Sequence, residues 1–174
     1  MNDFTKIDYL KSGNKRQRQA YKVLKKIKIL DHLRSYNPIL TGTIPIDIDL
    51  TNSDLDIICE CKNYEEFSIL LTELFANEKD FQIRTINCNN VKSILAKFRI
   101  ESFEIEIFGQ NIPTQQQNAY KHMMIEYKIL KKMGAKFKTD IRKLKKEGLK
   151  TEPAFAKLLG LTGNPYEELL KVLI

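Results

Sequence analysis

The β-rich middle of the chain restricts the fold more than any other feature. Runs of apolar and β-branched residues at 81–88, 91–100 and 103–108 are separated only by the polar pairs Asn89-Asn90 and Glu101-Ser102. This pattern predicts three strands joined by turns. The flanking segments repeat their apolar residues at helical spacing, which predicts a sheet covered by helices.

The part of the chain before this stretch predicts two helices and two short strands. Asn14 and Gln17 have the spacing of a helix-capping pair, and apolar residues recur at helical spacing over 20–33. This first helix, of about 20 residues, is expected to end before Asn37-Pro38, because a residue that precedes proline avoids helical angles. Short strands are predicted at 39–43 and 54–59, and a second helix at 64–77.

The last third of the sequence is predicted to be helical. The segment 114–117 has the spacing of a capping box, and a stripe of apolar residues follows it. Gly134, Gly148 and Gly163 divide this part into about four helices, the last of them capped by Asn164.

Length and composition fit one globular domain. The chain has 174 residues, 43% of them hydrophobic and 29% charged. We therefore predict a single domain over 1–174 of the α/β (α+β) class. It is expected to consist of a small mixed β-sheet core flanked by helices over 15–110 and a helical C-terminal part over 111–174.

Positive charge is concentrated in one segment. The net charge is +7, yet 121–150 alone holds 11 basic residues against three acidic ones, a net +8. This balance favours polyanionic partners such as nucleotides, phosphates or RNA. The alternative is an ordinary solvated face, because amphipathic helices commonly fill their outer positions with lysine.

Targeting patterns and cysteines indicate the compartment. The sequence has no run of about 18 apolar residues and no signal-peptide pattern, so a cytoplasmic protein without a membrane partner is expected. Cys59, Cys61 and Cys88 form an odd set, which argues against a disulfide scaffold. With only His32 and His122 as further soft ligands, we interpret the cysteines as core residues and expect no four-donor zinc site.

Acidic residues at strand spacing are the main candidates for chemistry. Gly42-Thr43 is followed by Ser53-Asp54-Leu55-Asp56, in which the two aspartates point to one face of a strand. Glu104 and Glu106 share one face of the last predicted strand. If the two strands are neighbours, three or four carboxylates gather there, and a divalent cation is their natural partner because burying uncompensated charge is costly.

Phosphoryl transfer uses such a cluster directly. Mg²⁺ held by carboxylates bridges nucleotide phosphates, and a Gly-Thr turn offers backbone N–H groups and a hydroxyl to the same phosphates. The alternative is a half-exposed antiparallel edge on which Glu104 and Glu106 face solvent and Asp54 caps a turn.

These residues resemble a known pattern. The order of Gly42-Thr43, Asp54-Leu55-Asp56 and a later Glu-bearing strand is similar to that of the nucleotidyltransferase superfamily of the polymerase-beta type. A closer resemblance, from about residue 15 to the end, is to a small uncharacterised bacterial family, a domain of unknown function within that superfamily. It rests on the segments 41–45, 108–110, 122–123 and 151–155.

The resemblance implies a metal-dependent nucleotidyltransferase that transfers a nucleotidyl group from an NTP to the hydroxyl of an unknown acceptor. Mg²⁺ (or Mn²⁺) would lie at Asp54, Asp56 and Glu106, with Glu104 as the alternative third acid. The candidates for nucleotide binding are Gly42, Thr43, Ser53, Lys121 and Lys128. Two alternatives stay open: a non-catalytic nucleotide- or RNA-binding module of the same fold, and an antitoxin-like interaction protein.

Two further groups are interpreted as surface features. Asp47-Ile48-Asp49 is predicted to be a solvent-facing loop, because no strand-like run follows it. His122 and Glu126 lie one helical turn apart and are predicted to form a surface pair. A general-base role for His122 is the alternative.

Overall fold

Five strands and six helices form within the residues that the computed structural model describes, 3–88 and 90–173. The strands are β1 (Ile39–Thr41), β2 (Leu55–Glu60), β3 (Lys79–Cys88), β4 (Val91–Ile100) and β5 (Phe103–Gln110). The helices are α1 (Lys15–Lys26), α2 (Ile29–His32), α3 (Tyr64–Phe75), α4 (Asn118–Lys146), α5 (Thr151–Leu159) and α6 (Pro165–Leu170). Three short 3-10 turns lie at Asp8–Ser12, Arg34–Tyr36 and Thr114–Gln116.

The strands form one mixed sheet in the order β1-β2-β5-β4-β3. β2 and β5 are parallel, and the other neighbours are antiparallel. The chain returns from β2 through α3 and the β3–β4 hairpin, which brings β5 beside β2. With helices around the sheet and at the C-terminus, the predicted α/β (α+β) class is confirmed. Of the two predicted turns, Glu101-Ser102 joins β4 to β5, whereas Asn89 of the other lies outside the described residues.

Local sequence signals explain most helix boundaries. Asn14 caps α1 as predicted, because its side chain accepts from the Gln17 backbone N–H while the Gln17 side chain accepts from the Asn14 N–H. The single helix predicted after it is broken, since Lys28 adopts a left-handed conformation (φ 50°) between α1 and α2. Asn164 caps α6, also as predicted.

The capping box predicted at 114–117 is wrong. Thr114–Gln116 forms a 3-10 turn, and α4 begins only at Asn118. The Gln117 side chain instead donates to the carbonyl oxygens of Cys59 and Ile112, both at 2.9 Å. The side chain that was expected to cap a helix therefore fixes the start of α4 against the end of β2.

One face of the sheet is the main hydrophobic core. Leu55, Ile57, Ile105 and Ile107 point from β2 and β5 into this core, where α1 and α3 cover them. Cys59 and Cys61 are buried in the same core, as interpreted from the sequence. The opposite face of the same strands carries the polar side chains and is left for the C-terminal helices to cover.

A second hydrophobic cluster holds the C-terminal helices to the segment between β1 and β2. Ile46 and Ile48 of that segment pack with Phe137, Ile141 and Phe155. α4 bends at Gly134, where the backbone is not helical (φ 80°, ψ −169°). This packing positions α4 and α5 over the polar face of the sheet.

The segment Asp47-Ile48-Asp49 is therefore not the solvent-facing loop that we predicted. Ile48 is fully buried, and the Asp49 side chain is only 8% exposed. Asp47 accepts hydrogen bonds from Asn14 and Arg142, both at 2.5 Å, and pairs with Lys138. The apolar residues of this segment enter the second cluster and carry the two aspartates with them.

Within residues 3–88 and 90–173, none of the helices combines the length and the apolar character that a membrane crossing requires.

Candidate active site

A cleft of about 760 Å³ lies between the polar face of the sheet and the C-terminal helices. Its floor is formed by β2 and β5, its walls by α4 and the start of α5, and its rim by the turn that follows β1.

The four predicted acids lie close together at β2 and β5. Asp56 of β2 lies directly opposite Glu106 of β5 in the parallel register. Carboxylate oxygens of Asp54, Glu104 and Glu106 lie within 4.8 Å of one another. Side chains two residues apart on a strand share a face, so the two acids of each strand meet the two acids of its neighbour.

Asp56 is the acid of this cluster whose pKa is clearly raised. Burial, and then the negative charges of Asp54 and Glu106, raise the pKa of Asp56 to about 8. Burial beside two other carboxylates disfavours the ionised form of a carboxyl group. Such a group fits a bound cation, because a cation would stabilise the ionised form that burial disfavours.

Lys97 supplies the cluster with one positive charge. It lies opposite Glu106 on β4, forms an ion pair with the Glu106 carboxylate, and reaches within 3.9 Å of Glu104. The hydrogen bond to Glu106 raises the pKa of Lys97. We did not predict a role for Lys97 from the sequence. A signal was present, because the two-residue turn at Glu101-Ser102 pairs Ile100 with Phe103, and this register determines which lysine faces Glu106.

The two candidates for the third acid have different surroundings. Glu106 lines the cleft. Glu104 accepts a hydrogen bond from Nη2 of Arg99 at 3.0 Å and is absent from the described lining of the cleft. Of the two glutamates, Glu106 is therefore the one that the structure places in the cleft.

The Gly42 turn is pressed against Asp56. Gly42 has a φ of +80°, and a Cβ atom built there would overlap Oδ2 of Asp56. Two reasons therefore require glycine at this position. The backbone has a positive φ, and Asp56 fills the space that a Cβ atom would need. Thr43 lines the cleft beside it.

Ser53 contacts the Gly42 turn through hydrogen bonds and lies outside the cleft lining. Oγ of Ser53 lies 3.3 Å from Oγ1 of Thr43 and accepts from the Leu50 N–H at 2.9 Å. Nη2 of Arg16 donates to the Ser53 carbonyl oxygen at 2.6 Å. Among the described residues that line the cleft, Gly42 and Thr43 are present and Ser53 is not.

Lys121 and Lys128, predicted to bind nucleotide, lie away from the cleft. Both side chains are exposed and border a shallow depression with Met124 and Leu170. Seven residues separate the two lysines, so they share one face of α4, while Met123 and other residues of α4 line the cleft from a different face. The structure thus does not bring these lysines to the acidic cluster.

Lys145 is the lysine of α4 that lines the cleft. Its Nζ donates to the carbonyl oxygen of Ile48 at 2.8 Å. Burial lowers the pKa of Lys145, although the negative charges of Glu126, Asp49 and Glu152 act in the opposite direction. It was one of many lysines in the basic segment, and the sequence carried no signal that singled it out.

The wall of the cleft also contains His122 and Glu126, which do not form the predicted surface pair. His122 is 8% exposed and Glu126 is 3% exposed. Burial lowers the pKa of His122 and raises that of Glu126 well above its usual range. The spacing of the two residues was visible in the sequence, but it did not show that this face of α4 is turned towards the sheet.

The profile of the family described as Domain of unknown function (DUF4269) matches residues 22–172. The chain belongs to this family. No curated protein matches the sequence significantly.

The fold is similar to that of solved chains of a poly(U) polymerase and an RNA terminal U-transferase. Cid1 poly(U) polymerase with bound Mg 3′-dATP gives a TM-score of 0.57 at 16% identity over 90% of this chain and 48% of that one. The same enzyme with bound MgGTP gives 0.55 at 14% identity over 76% and 42%. A cytoplasmic RNA terminal U-transferase gives 0.52 at 13% identity over 74% and 40%.

These similarities identify a nucleotidyltransferase-like core. At such identities they concern the fold alone. The chain also spans less than half the length of these solved chains.

Proposed function

We propose that this protein is a metal-dependent nucleotidyltransferase that transfers a nucleotidyl group from an NTP to a hydroxyl acceptor. The observation that carries the proposal is the convergence of Asp54, Asp56 and Glu106 on the cleft floor, with Asp56 buried beside the other two carboxylates. The similarity to a fold whose solved examples bind MgGTP and Mg 3′-dATP supports it. In this proposal 15–110 is the catalytic core, and 111–174 is the helical part that closes the cleft.

The acids of the floor would hold Mg²⁺ (or Mn²⁺). Their donor set suits the ion, because hard divalent cations prefer carboxylate oxygens. When bound, the ion would supply positive charge to the phosphates and help to ionise the acceptor hydroxyl. Burial raises the pKa of Asp56 to about 8, and this carboxyl would have to lose its proton to serve as a ligand.

The other residues of the cleft orient the nucleotide and exclude water. The backbone N–H groups of the turn at Gly42 and the hydroxyl of Thr43 are donors for phosphate oxygens. Lys97 neutralises Glu106 in the absence of a cation. The walls formed by α4 and α5 shield the floor, which strengthens every charge interaction within it.

A thermal-shift titration tests this proposal. Each of the four NTPs is added with and without Mg²⁺ to the wild-type protein and to a variant with both Asp54→Asn and Asp56→Asn. A ligand at about 100 times its dissociation constant stabilises the folded state by about 2.7 kcal/mol, which corresponds to a rise of about 5–10 °C in Tm for a chain of this size.

We expect a rise that requires Mg²⁺ and is lost in the double variant. Asp140→Asn, on the outer part of α4, is the matched control and should keep the rise. A rise that persists in the double variant, or that does not need Mg²⁺, would contradict the proposed role of the carboxylates.

Binding of RNA is a second candidate, favoured by one observation. The exposed face of α4 carries lysines that the cleft does not use. Lys121, Lys128, Lys131, Lys132 and Lys136 are all exposed. Such a face suits the phosphate backbone of an RNA, which would serve as acceptor or as a ligand in its own right.

A further inference from the structure

A second group of metal-ligand side chains lies in the wall of the cleft. His122 and Glu126 project from α4 one turn apart, and Glu152 is the second residue of α5. A ring nitrogen of His122 and a carboxylate oxygen of each glutamate lie within 4.8 Å of one another. Ligand atoms about 2.0–2.2 Å from a common ion would have comparable separations.

One ring nitrogen of this group is buried without a hydrogen-bond partner. This atom is Nδ1 of His122. Glu126 lines the cleft beside it and is only 3% exposed. Buried polar groups are nearly always paired, so an unpaired imidazole nitrogen beside two carboxylates indicates an absent ligand.

The surrounding charges do not satisfy this group. Lys145 is the basic residue whose charge acts on Glu126, yet its Nζ is hydrogen-bonded to the Ile48 carbonyl oxygen and forms no ion pair within 4 Å of Glu126 or Glu152 in the described part of the chain. Burial, and then the charge of Glu152, raise the pKa of Glu126 well above its usual range. In the described part of the chain, no basic side chain forms an ion pair with either glutamate.

We propose that His122, Glu126 and Glu152 form a second metal site, which takes a first-row divalent ion such as Zn²⁺, Co²⁺ or Mn²⁺. One imidazole nitrogen and two carboxylate oxygens suit these ions better than Mg²⁺ or Ca²⁺, which prefer oxygen ligands alone. Three protein ligands leave at least one coordination position, and it opens towards the cleft. The ion would also tie α4 to the start of α5.

This site is distinct from the cation site of the proposed function. It is built from α4 and α5 rather than from β2 and β5, and its donors include nitrogen. It does not depend on nucleotide binding, so either proposal can fail alone.

Titration with Co²⁺, read by visible absorption and calorimetry, tests the second site. The untagged full chain carries Asp54→Asn and Asp56→Asn to weaken the floor site, and Cys88→Ser to remove the thiol that lines the same cleft. We expect one Co²⁺ per chain, with visible bands of low-symmetry coordination, and competition by Zn²⁺. Co²⁺ should also raise the melting temperature of this protein.

Glu152→Gln is the decisive variant, because this partly exposed side chain can change without opening the core. It should weaken Co²⁺ binding at least about 100-fold, since even the loss of outer-shell partners costs about 10–100-fold. His122→Gln should remove the bands altogether. Glu147→Gln, an exposed carboxylate at the end of α4, is the matched control and should bind as the parent does.

Three results would overturn the proposal. They are the absence of Co²⁺ binding at millimolar concentrations, unchanged affinity in Glu152→Gln, or equal loss in Glu147→Gln. The melting temperature of each variant without metal shows whether a lost signal reflects unfolding. If His122→Gln unfolds, Glu152→Gln alone decides the outcome.

Discussion

At the scale of single residues, Gly42 determines whether the acidic cluster has room to form. Its φ of +80° and the atom Oδ2 of Asp56 both exclude a side chain there. Gly134 provides a matched control, because it has the same φ of +80° and no atom within 4 Å of a built Cβ.

We expect Gly42→Ala to destabilise the protein more than Gly134→Ala. Backbone strain from the positive φ costs on the order of 1–3 kcal/mol in each variant. The overlap with Asp56 should add at least about 1 kcal/mol at Gly42. Urea unfolding of the two variants measures the difference, and equal losses would show that the contact between Gly42 and Asp56 is unimportant.

Asp56 should make stability depend on pH in the absence of metal. Its folded pKa of about 8 lies above the ordinary value of 3.8, so the folded state holds the proton more tightly than the unfolded state does. The free energy of unfolding should therefore fall as the pH rises from about 4 to 8.

Asp56→Asn should remove this contribution. In EDTA, the melting temperature of the variant relative to wild type should rise between pH 4 and pH 8. In a chain of this length, 1 kcal/mol corresponds to about 2–4 °C, and we expect the rise to be at least this large. A constant difference across this range would mean that Asp56 is ionised throughout.

At the scale of elements, Asp47 joins three parts of the chain that are distant in sequence. Asn14 precedes α1, and Lys138 and Arg142 belong to the second half of α4; all three contact the Asp47 carboxylate. Partial burial raises the pKa of Asp47, but hydrogen bonds from Lys138 and Asn14 outweigh it and hold the pKa below its usual value.

Asp47→Asn should destabilise the protein by about 1–2 kcal/mol. A hydrogen bond to a charged group contributes about 1.5–3 kcal/mol, and partial exposure reduces this. Asparagine tolerates the left-handed backbone at this position (φ 58°). Asp140→Asn removes the exposed pair with Lys136 and should cost less than about 0.5 kcal/mol; chemical denaturation compares the two.

The elements themselves were largely predictable, and their exceptions have physical reasons. Alternating residues and short turns identified β3, β4 and β5, since side-chain alternation is a local property. The break at Lys28 was not visible, because a left-handed lysine has no sequence signature of its own. The environment of Asp47 depends on α4, which follows about 90 residues later and could not be located from local patterns.

The candidate site was predictable only where strand spacing determines it. Two acids at positions i and i+2 must share a face, so Asp54 with Asp56 and Glu104 with Glu106 were found. Which face of α4 meets the sheet depends on packing of the whole chain. For this reason Lys121 and Lys128 were assigned to the nucleotide, although they lie on the outer face.

At the scale of the whole molecule, charge is divided between an acidic cleft and a basic outer face of α4. If this outer face binds single-stranded RNA, the logarithm of the binding constant should fall linearly with the logarithm of the salt concentration. The slope should be about −0.7 for each phosphate contact. Replacing Lys128, Lys131 and Lys132 by Gln should reduce this slope and leave the thermal shift with NTP unchanged. Filter binding at several salt concentrations measures the slope, and an unchanged slope would contradict the assignment of RNA to this face.

The central claim is that the acids of the cleft floor bind a metal ion together with a nucleotide. Anomalous diffraction from crystals grown with Mn²⁺ and a non-hydrolysable NTP analogue tests it most directly. We expect an anomalous peak in contact with the carboxylates of Asp54 and Asp56, with the phosphates beside Gly42 and Thr43. Nucleotide density elsewhere, or well-ordered phosphates in the cleft without a metal peak at these carboxylates, would contradict it.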